Sequence, residues 1–125
     1  MNWYSRTQLL VGDEGVMKLA SSHVLVVGLG GVGAYAAEQL ARAGIGKMTI
    51  VDSDTVNITN KNRQLLALDS TLNRPKVEVM AERIRDINPD VEVVALNQYL
   101  KDQSIIDLME QPFDFIVDAI DTVAA

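Results

Sequence analysis

The run Val24-Leu25-Val26-Val27, followed at once by Gly28-Leu29-Gly30-Gly31-Val32-Gly33, constrains this chain more than any other feature. Four apolar residues without polar alternation read as a strand buried on both faces, the situation of a central strand in a parallel sheet. The glycines then keep the G-x-G-x-x-G spacing at the point where the strand must turn into a helix. A helix rich in small residues is predicted from about Gly31 to Ala43, with Ala36, Ala37, Leu40 and Ala41 available to face a sheet. Gly44-Ile45-Gly46 stops it.

The rest of the chain repeats the alternation. Met48-Thr49-Ile50-Val51 reads as a second strand, ending in Asp52-Ser53-Asp54. After a polar stretch, Pro75 suits the first turn of a helix running to about Ile87, whose apolar residues Val77, Met80, Ala81, Ile84 and Ile87 recur at helical spacing. Asn88-Pro89-Asp90 breaks it, and Val91 to Leu96 is the third predicted strand. A helix over 102–110 is expected to turn Ile105, Ile106 and Met109 inward, before a fourth strand from Phe113 to Asp118. Strands alternating with helices imply right-handed βαβ units. The expected fold is therefore α/β: a Rossmann-like, doubly wound, mainly parallel sheet with helices on both faces. Residues 1–20 read as an N-terminal arm and helix, and 21–125 as the Rossmann-like core. A chain that stops at Ala125, directly after a strand due to carry a functional loop, reads as truncated at its C-terminal end.

In such a loop Gly28 permits the tight turn, Gly30 lets a phosphate approach the backbone, and Gly33 lets helix and strand pack closely. The following helix N-terminus offers free N–H groups and partial positive charge to a phosphate. Asp52, 19 residues beyond Gly33 at the end of the second strand, is placed to hold ribose hydroxyls. These features point to a nucleotide without separating NAD from ATP.

Asn60-Lys61-Asn62-Arg63-Gln64 and Arg74-Pro75-Lys76 bear on that choice. A hydride-transfer enzyme has no specific need for a cationic insertion there, whereas cleavage of a triphosphate must neutralise charge on phosphoryl oxygens. Arg63 can fork two phosphate oxygens, and Lys76 is a point charge at a helix start. The same residues also fit the ordinary role of solvated surface cations. Asp118-Ala119-Ile120-Asp121 leaves the carboxyl end of the fourth strand, where a carboxylate can hold Mg²⁺ or simply close a turn.

Taken together, these residues resemble the ThiF/MoeB/HesA family, whose larger relatives are the ubiquitin-activating enzymes. The matching pieces are Val26-Val27-Gly28-Leu29-Gly30-Gly31-Val32-Gly33, Val51-Asp52-Ser53-Asp54-Thr55-Val56, Asn60-x-x-Arg63-Gln64, Pro75-Lys76, Ile87-Asn88-Pro89 and Asp118-x-x-Asp121, in family order and at family spacing. The resemblance implies a Rossmann-like enzyme that adenylates a carboxylate with ATP and Mg²⁺. It implies that Gly28, Gly30, Gly31 and Gly33 line the phosphate loop and that Asp52, with Asp54 beside it, holds the ribose. Asn60, Arg63 and Lys76 would contact the polyphosphate, with Gln64 close by. Asp121 would hold Mg²⁺, and Arg6 would reach from one protomer of a homodimer into its partner's ATP site. The chain departs from the family pattern at Asn73-Arg74-Pro75-Lys76, where a glycine commonly stands in place of Asn73. Asparagine also tolerates the left-handed conformation.

Three stretches resemble one branch of that family, the tRNA threonylcarbamoyladenosine dehydratases: Ser5-Arg6-Thr7-Gln8-Leu9-Leu10-Val11-Gly12, Asn62 through Thr71, and Asp118-Ala119-Ile120-Asp121-Thr122-Val123. That branch implies tRNA as partner. The alternative is adenylation of a ubiquitin-like sulfur-carrier protein, with a cysteine desulfurase system nearby. A net charge of −6 excludes a generally basic surface, so cations that meet phosphate must be locally placed. With no cysteine, this stretch has no thiolate chemistry and no cysteine-bound zinc. No signal-like N-terminus and no long apolar run is present, so the expectation is a cytoplasmic protein without a membrane partner. His23 stands alone and reads as a surface or edge residue.

Overall fold

A computed structural model of the chain describes residues 3–120. Four parallel strands, β1 (His23–Val27), β2 (Lys47–Val51), β3 (Glu92–Leu96) and β4 (Phe115–Asp118), form one sheet in the order β3-β2-β1-β4. Strand β1 is central: Val24 to Val27 lie opposite Met48 to Val51 on one side and Phe115 to Asp118 on the other. The order reverses at β1, so its carboxyl end opens onto the crevice where doubly wound sheets bind ligands. The doubly wound expectation therefore holds, with helices on both faces.

The strand residues divide by parity, as a pleated sheet requires. Val24, Val26, Met48 and Ile50 face α2 (Gly31–Ala43) and α3 (Lys76–Ile87), whose Ala34, Ala37, Ala41, Val77, Met80 and Ile84 complete a large core. Leu25, Val27 and Val51 face the other way and meet Leu108 of α4 (Asp102–Met109). The alanine stripe lets α2 lie close to the sheet. Gly44, with φ +94°, ends that helix in the left-handed conformation expected of its C-terminal glycine. The buried Glu38 carboxylate on α2 accepts from Arg83 of α3, which satisfies a charge that would be costly alone. Asn88 donates its amide to the carbonyls of Ala41 and Ile45, tying the end of α3 to the end of α2. The Ile87-Asn88-Pro89 motif thus has a structural use.

Three sequence expectations need correction. Pro75 stands at the N-cap of α3 rather than in its first turn, the helix beginning at Lys76. On α4 it is Leu108 that is buried, whereas Ile105, Ile106 and Met109 are 39%, 53% and 47% exposed. At 100° per residue Ile105, Ile106, Leu108 and Met109 share one stripe about 160° wide, so the pattern does mark a face; the sheet covers only its Leu108 edge, which packs on Leu25, Val27 and Val51. His23 is the first residue of β1 and is half-buried, its Nε2 2.7 Å from the Thr49 hydroxyl and its ring edge-on to Phe113. Asn73, at φ +70°, does occupy the left-handed region. The N-terminal helix α1 (Ser5–Ala20) is broken at Gly12, φ +74°, and buries none of its residues.

Candidate functional site

The carboxyl ends of the four strands open on a cleft of about 610 Å³. Its walls come from five places: Gly28 and Gly30 after β1, Asp52 to Asp54 after β2, Gln98 to Leu100 after β3, Ala119 and Ile120 after β4, and the segment between β2 and α3. That last segment contributes Asn60, Arg63 and Gln64, and Lys76 follows as the first residue of α3.

Two glycines of the loop are sterically required. Gly28 has φ +93°, and a Cβ there would sit 2.8 Å from the Ala119 carbonyl oxygen. A Cβ on Gly33 would fall 1.7 Å from the Gly28 carbonyl oxygen. Gly28 therefore serves the turn and Gly33 the close packing of helix on strand. Gly33 is buried and Gly31 lies outside the cleft lining, so of the four glycines only Gly28 and Gly30 face the cavity.

Asp52 is half-buried, and its two carboxylate oxygens divide their work. Oδ2 accepts the Leu29 N–H at 2.7 Å, and Oδ1 accepts the Asp54 N–H at 2.7 Å. Two further lone-pair positions remain for a ligand. The polar segment that follows is held by reciprocal capping: Asn57 accepts from the Thr59 N–H, while Asn60 Oδ1 accepts from the Asn57 N–H. The Asn60 carbonyl then accepts from the Arg63 and Gln64 N–H groups, which sets both side chains at the cleft. Leu66 and Ala67, just beyond, are buried in the large core and anchor the segment.

Lys76 reaches the cleft differently. Residues 54–56 pair antiparallel with 73–76: Val56 N–H donates to Arg74, Asn73 N–H to Val56 and Lys76 N–H to Asp54. This short ladder seats Lys76 as the first residue of α3, only 5% exposed and in no ion pair among the described residues. No buried side-chain nitrogen among the described residues lacks a hydrogen-bond partner, so the unpaired Lys76 ammonium is the part of this residue that meets the cleft, placed to receive an anion. The neighbouring cations are spoken for. Arg74 hydrogen-bonds Glu82 and Glu78, which raises its pKa above the usual arginine value, and Lys61 pairs with Asp69. Arg63 is exposed, with one guanidinium nitrogen on the Thr59 carbonyl and Asn62 Oδ1.

The structure thus gathers Gly28, Gly30, Asp52, Asp54, Asn60, Arg63, Gln64 and Lys76 into one cavity. Arg6 is exposed on α1 and does not line this cleft. Asp121, the expected Mg²⁺ ligand, lies outside the described residues. Among the described residues no three acidic or histidine side chains converge on a metal site. Mg²⁺ bound with phosphates needs only one or two protein carboxylates, and among the described residues Asp52 and Asp54 bring carboxylates to the cleft. Sequence reasoning missed the wall made by Gln98, Tyr99 and Leu100. These residues carry no motif; only their position after β3 at the sheet's carboxyl edge could have marked them.

The chain is similar to several known proteins. The tRNA threonylcarbamoyladenosine dehydratase of Bacillus subtilis (strain 168) is 46% identical over 123 residues, covering 98% of this chain and 48% of that protein. The sulfur carrier protein ThiS adenylyltransferase of Escherichia coli (strain K12) is 39% identical over 124 residues, covering 97% and 49%. A crystal structure of E. coli tRNA N6-threonylcarbamoyladenosine dehydratase in complex with ATP matches with a TM-score of 0.93 at 42% identity, over 96% of this chain and 49% of that one. The chain spans about half the length of the curated relatives it matches. The ThiF family pattern covers residues 4–125, so the likeness reaches well beyond a glycine loop that many nucleotide-binding folds share; the chain belongs to the ThiF family.

Proposed function

We propose that this chain forms the ATP-binding part of an enzyme that adenylates a carboxylate, and that the carboxylate is that of the threonylcarbamoyl group on a tRNA adenosine. The observation that carries the ATP reading is Lys76: a residue only 5% exposed whose ammonium meets the cleft, with no carboxylate partner among the described residues, beside Gly28 and Gly30. A nicotinamide dinucleotide gives that ammonium, Arg63 and Asn60 no common task; a triphosphate does.

In this reading the triphosphate lies between the glycine loop and Lys76, with Arg63 and Asn60 on its oxygens and Asp52 on the ribose. A substrate carboxylate oxygen attacks the α-phosphorus, the α–β phosphoanhydride bond breaks, and pyrophosphate leaves with the electron pair. Lys76 and Arg63 hold the charge that develops on the departing phosphates. Mg²⁺, which Asp121 would hold, would supply further charge neutralisation. The mixed anhydride converts a poor leaving group into AMP. The adjacent carbamoyl group then closes onto the activated carbon, releasing AMP, so that the net loss is water. The protein's part is largely to hold reacting groups in line.

The tRNA substrate is supported by the 46% identity to the B. subtilis dehydratase, against 39% for the E. coli adenylyltransferase that acts with a sulfur carrier protein. The enzyme works as a homodimer in this reading. Helix α1 leaves Leu9 and Leu10 almost fully exposed, an apolar face suited to a second copy, and Arg6 on the same helix would complete the partner's site. A cytoplasmic setting goes with a tRNA substrate, and no helix among the described residues is long and apolar enough to cross a membrane.

ATP:pyrophosphate exchange tests the proposal. It is to be run with tRNA carrying threonylcarbamoyladenosine, then with a carrier protein ending in Gly-Gly, and repeated with Lys76→Ala and Asp121→Ala. Exchange with the tRNA alone, abolished in both variants, is the expected result. Exchange with the carrier alone would move the protein to the sulfur-transfer branch, in the company of a cysteine desulfurase. Tight NAD binding without exchange would overturn the ATP reading itself.

A further inference from the structure

Asp52 does more in this fold than a ribose-holding carboxylate must. Its Oδ2 accepts the N–H of Leu29, inside the glycine loop, and its Oδ1 accepts the N–H of Asp54. Asp54 in turn accepts the Lys76 N–H through its carbonyl oxygen, 3.0 Å away, within the ladder that seats α3. The Asp52 N–H donates to the Leu96 carbonyl of β3, which fixes the aspartate's own backbone to the sheet. One carboxylate therefore joins the two parts that would grip a polyphosphate from opposite sides: the glycine loop after β1 and the strand pair that delivers Lys76. Both hydrogen bonds are charge-assisted, the strong kind, and neither uses up the carboxylate's capacity to accept from a ribose.

We infer that Asp52 is a positioning residue for the phosphate end of the cleft, independent of any contact with the ribose. This rests on the ATP reading and adds a distinct claim to it. A simple ribose ligand and a positioning residue respond oppositely to one change. If Asp52 only holds hydroxyl groups, replacing it removes a negative charge close to a polyanion; a nucleotide lacking those hydroxyls should then bind equally well or tighter. If Asp52 sets the separation between glycine loop and Lys76, the same nucleotide should bind worse.

The experiment is calorimetric titration of the full chain and its Asp52→Asn variant with ATP and with 2′,3′-dideoxy-ATP. The asparagine keeps the shape but puts an NH₂ where one N–H expects an acceptor. The expected result is a loss of roughly tenfold in affinity for the dideoxy nucleotide, the scale of one charge-assisted hydrogen bond. A second variant preserves the carboxylate and removes only its partner: an ester in place of the amide that carries the Leu29 N–H. It should weaken both nucleotides by a similar factor, and it keeps the claim testable if Asp52→Asn fails to fold. Unchanged or tighter dideoxy-ATP binding in either variant overturns the positioning role and leaves the ATP reading standing. Absence of ATP binding by the unaltered chain overturns both.

Discussion

The two faces of the sheet are built very differently. The face covered by α2 and α3 carries most of the buried apolar residues, with Met80 and Ile84 fully enclosed. The opposite face is closed mainly by Leu108 against Leu25, Val27 and Val51, with Leu96, Leu100 and Phe113 half-buried around it. The cleft draws on both. Asn60, Gln64 and Lys76 hang from segments rooted in the thick core, through Leu66, Ala67 and Val77. Gln98, Tyr99 and Leu100 lead into α4, on the thin side. Of the groups that would meet phosphate, Asn60 and Lys76 are buried and held by dense packing, which is where sub-ångström placement matters, whereas Arg63 is exposed. The wall where exact placement is least needed is the lightly packed one.

That contrast can be broken most severely at Lys76. Lys76→Ala should reduce ATP-dependent exchange by about 10²–10³, the cost of removing one preorganised positive group from a charge-stabilising site. Its thermal midpoint should stay level, because the ammonium removed meets the open cleft and has no ion-pair partner among the described residues. A falling midpoint would show that Lys76 has a structural anion already. Next in size, truncations compare the faces directly by urea denaturation. Ile84→Ala should cost about 3–4 kcal/mol and Leu108→Ala about 2, because the thin face can collapse or admit water where the thick one cannot. Equal costs would mean that both faces are cores of one kind. Smaller still, Ile106→Ser should change stability by no more than about 0.5 kcal/mol, since its side chain is 53% exposed.

The smallest effect is a pH dependence at the far end of the thin face. Burial, and then the charge of Lys47, lower the pKa of His23 below its usual 6.5, although Asp114 and Glu92 oppose them. The unfolded chain therefore binds the proton more readily than the folded one. Stability should be full above pH 6.5 and decline as pH falls from there through the folded-state value. Thermal midpoints at pH 7.5 and 5.5 should show that decline, and His23→Gln should flatten it. A slope unchanged by the substitution would locate the dependence elsewhere.

Much of the site was legible because its signals are local. A strand running into G-x-G-x-x-G states its own geometry: Gly28 and Gly33 have no room for a Cβ, and that constraint is written in residue type. Asn73 was readable for the same reason, since few side chains accept its left-handed φ. Helical periodicity placed Val77, Met80 and Ile84 in the core, because α3 offers one clear apolar stripe. On α4 the apolar residues also form one stripe, but the sheet covers only its Leu108 edge, so Ile105, Ile106 and Met109 stay exposed.

By itself, then, the sequence determined the alternating architecture, the glycine turn, and the residue types available at the cleft. Each depends on a residue's own conformational limits or on neighbours within a few positions. Only the tertiary structure decided which cations are free to meet a ligand. Arg74 and Lys76 are two residues apart, yet Arg74 is claimed by Glu78 and Glu82 while Lys76 turns into the cleft. It also decided that Asp52 grips Leu29 and Asp54 at once, and that the wall opposite is made of Gln98, Tyr99 and Leu100. Pairing, burial and charge partners are set by segments distant in sequence, and no local pattern encodes which of several equivalent side chains the fold will leave unpaired.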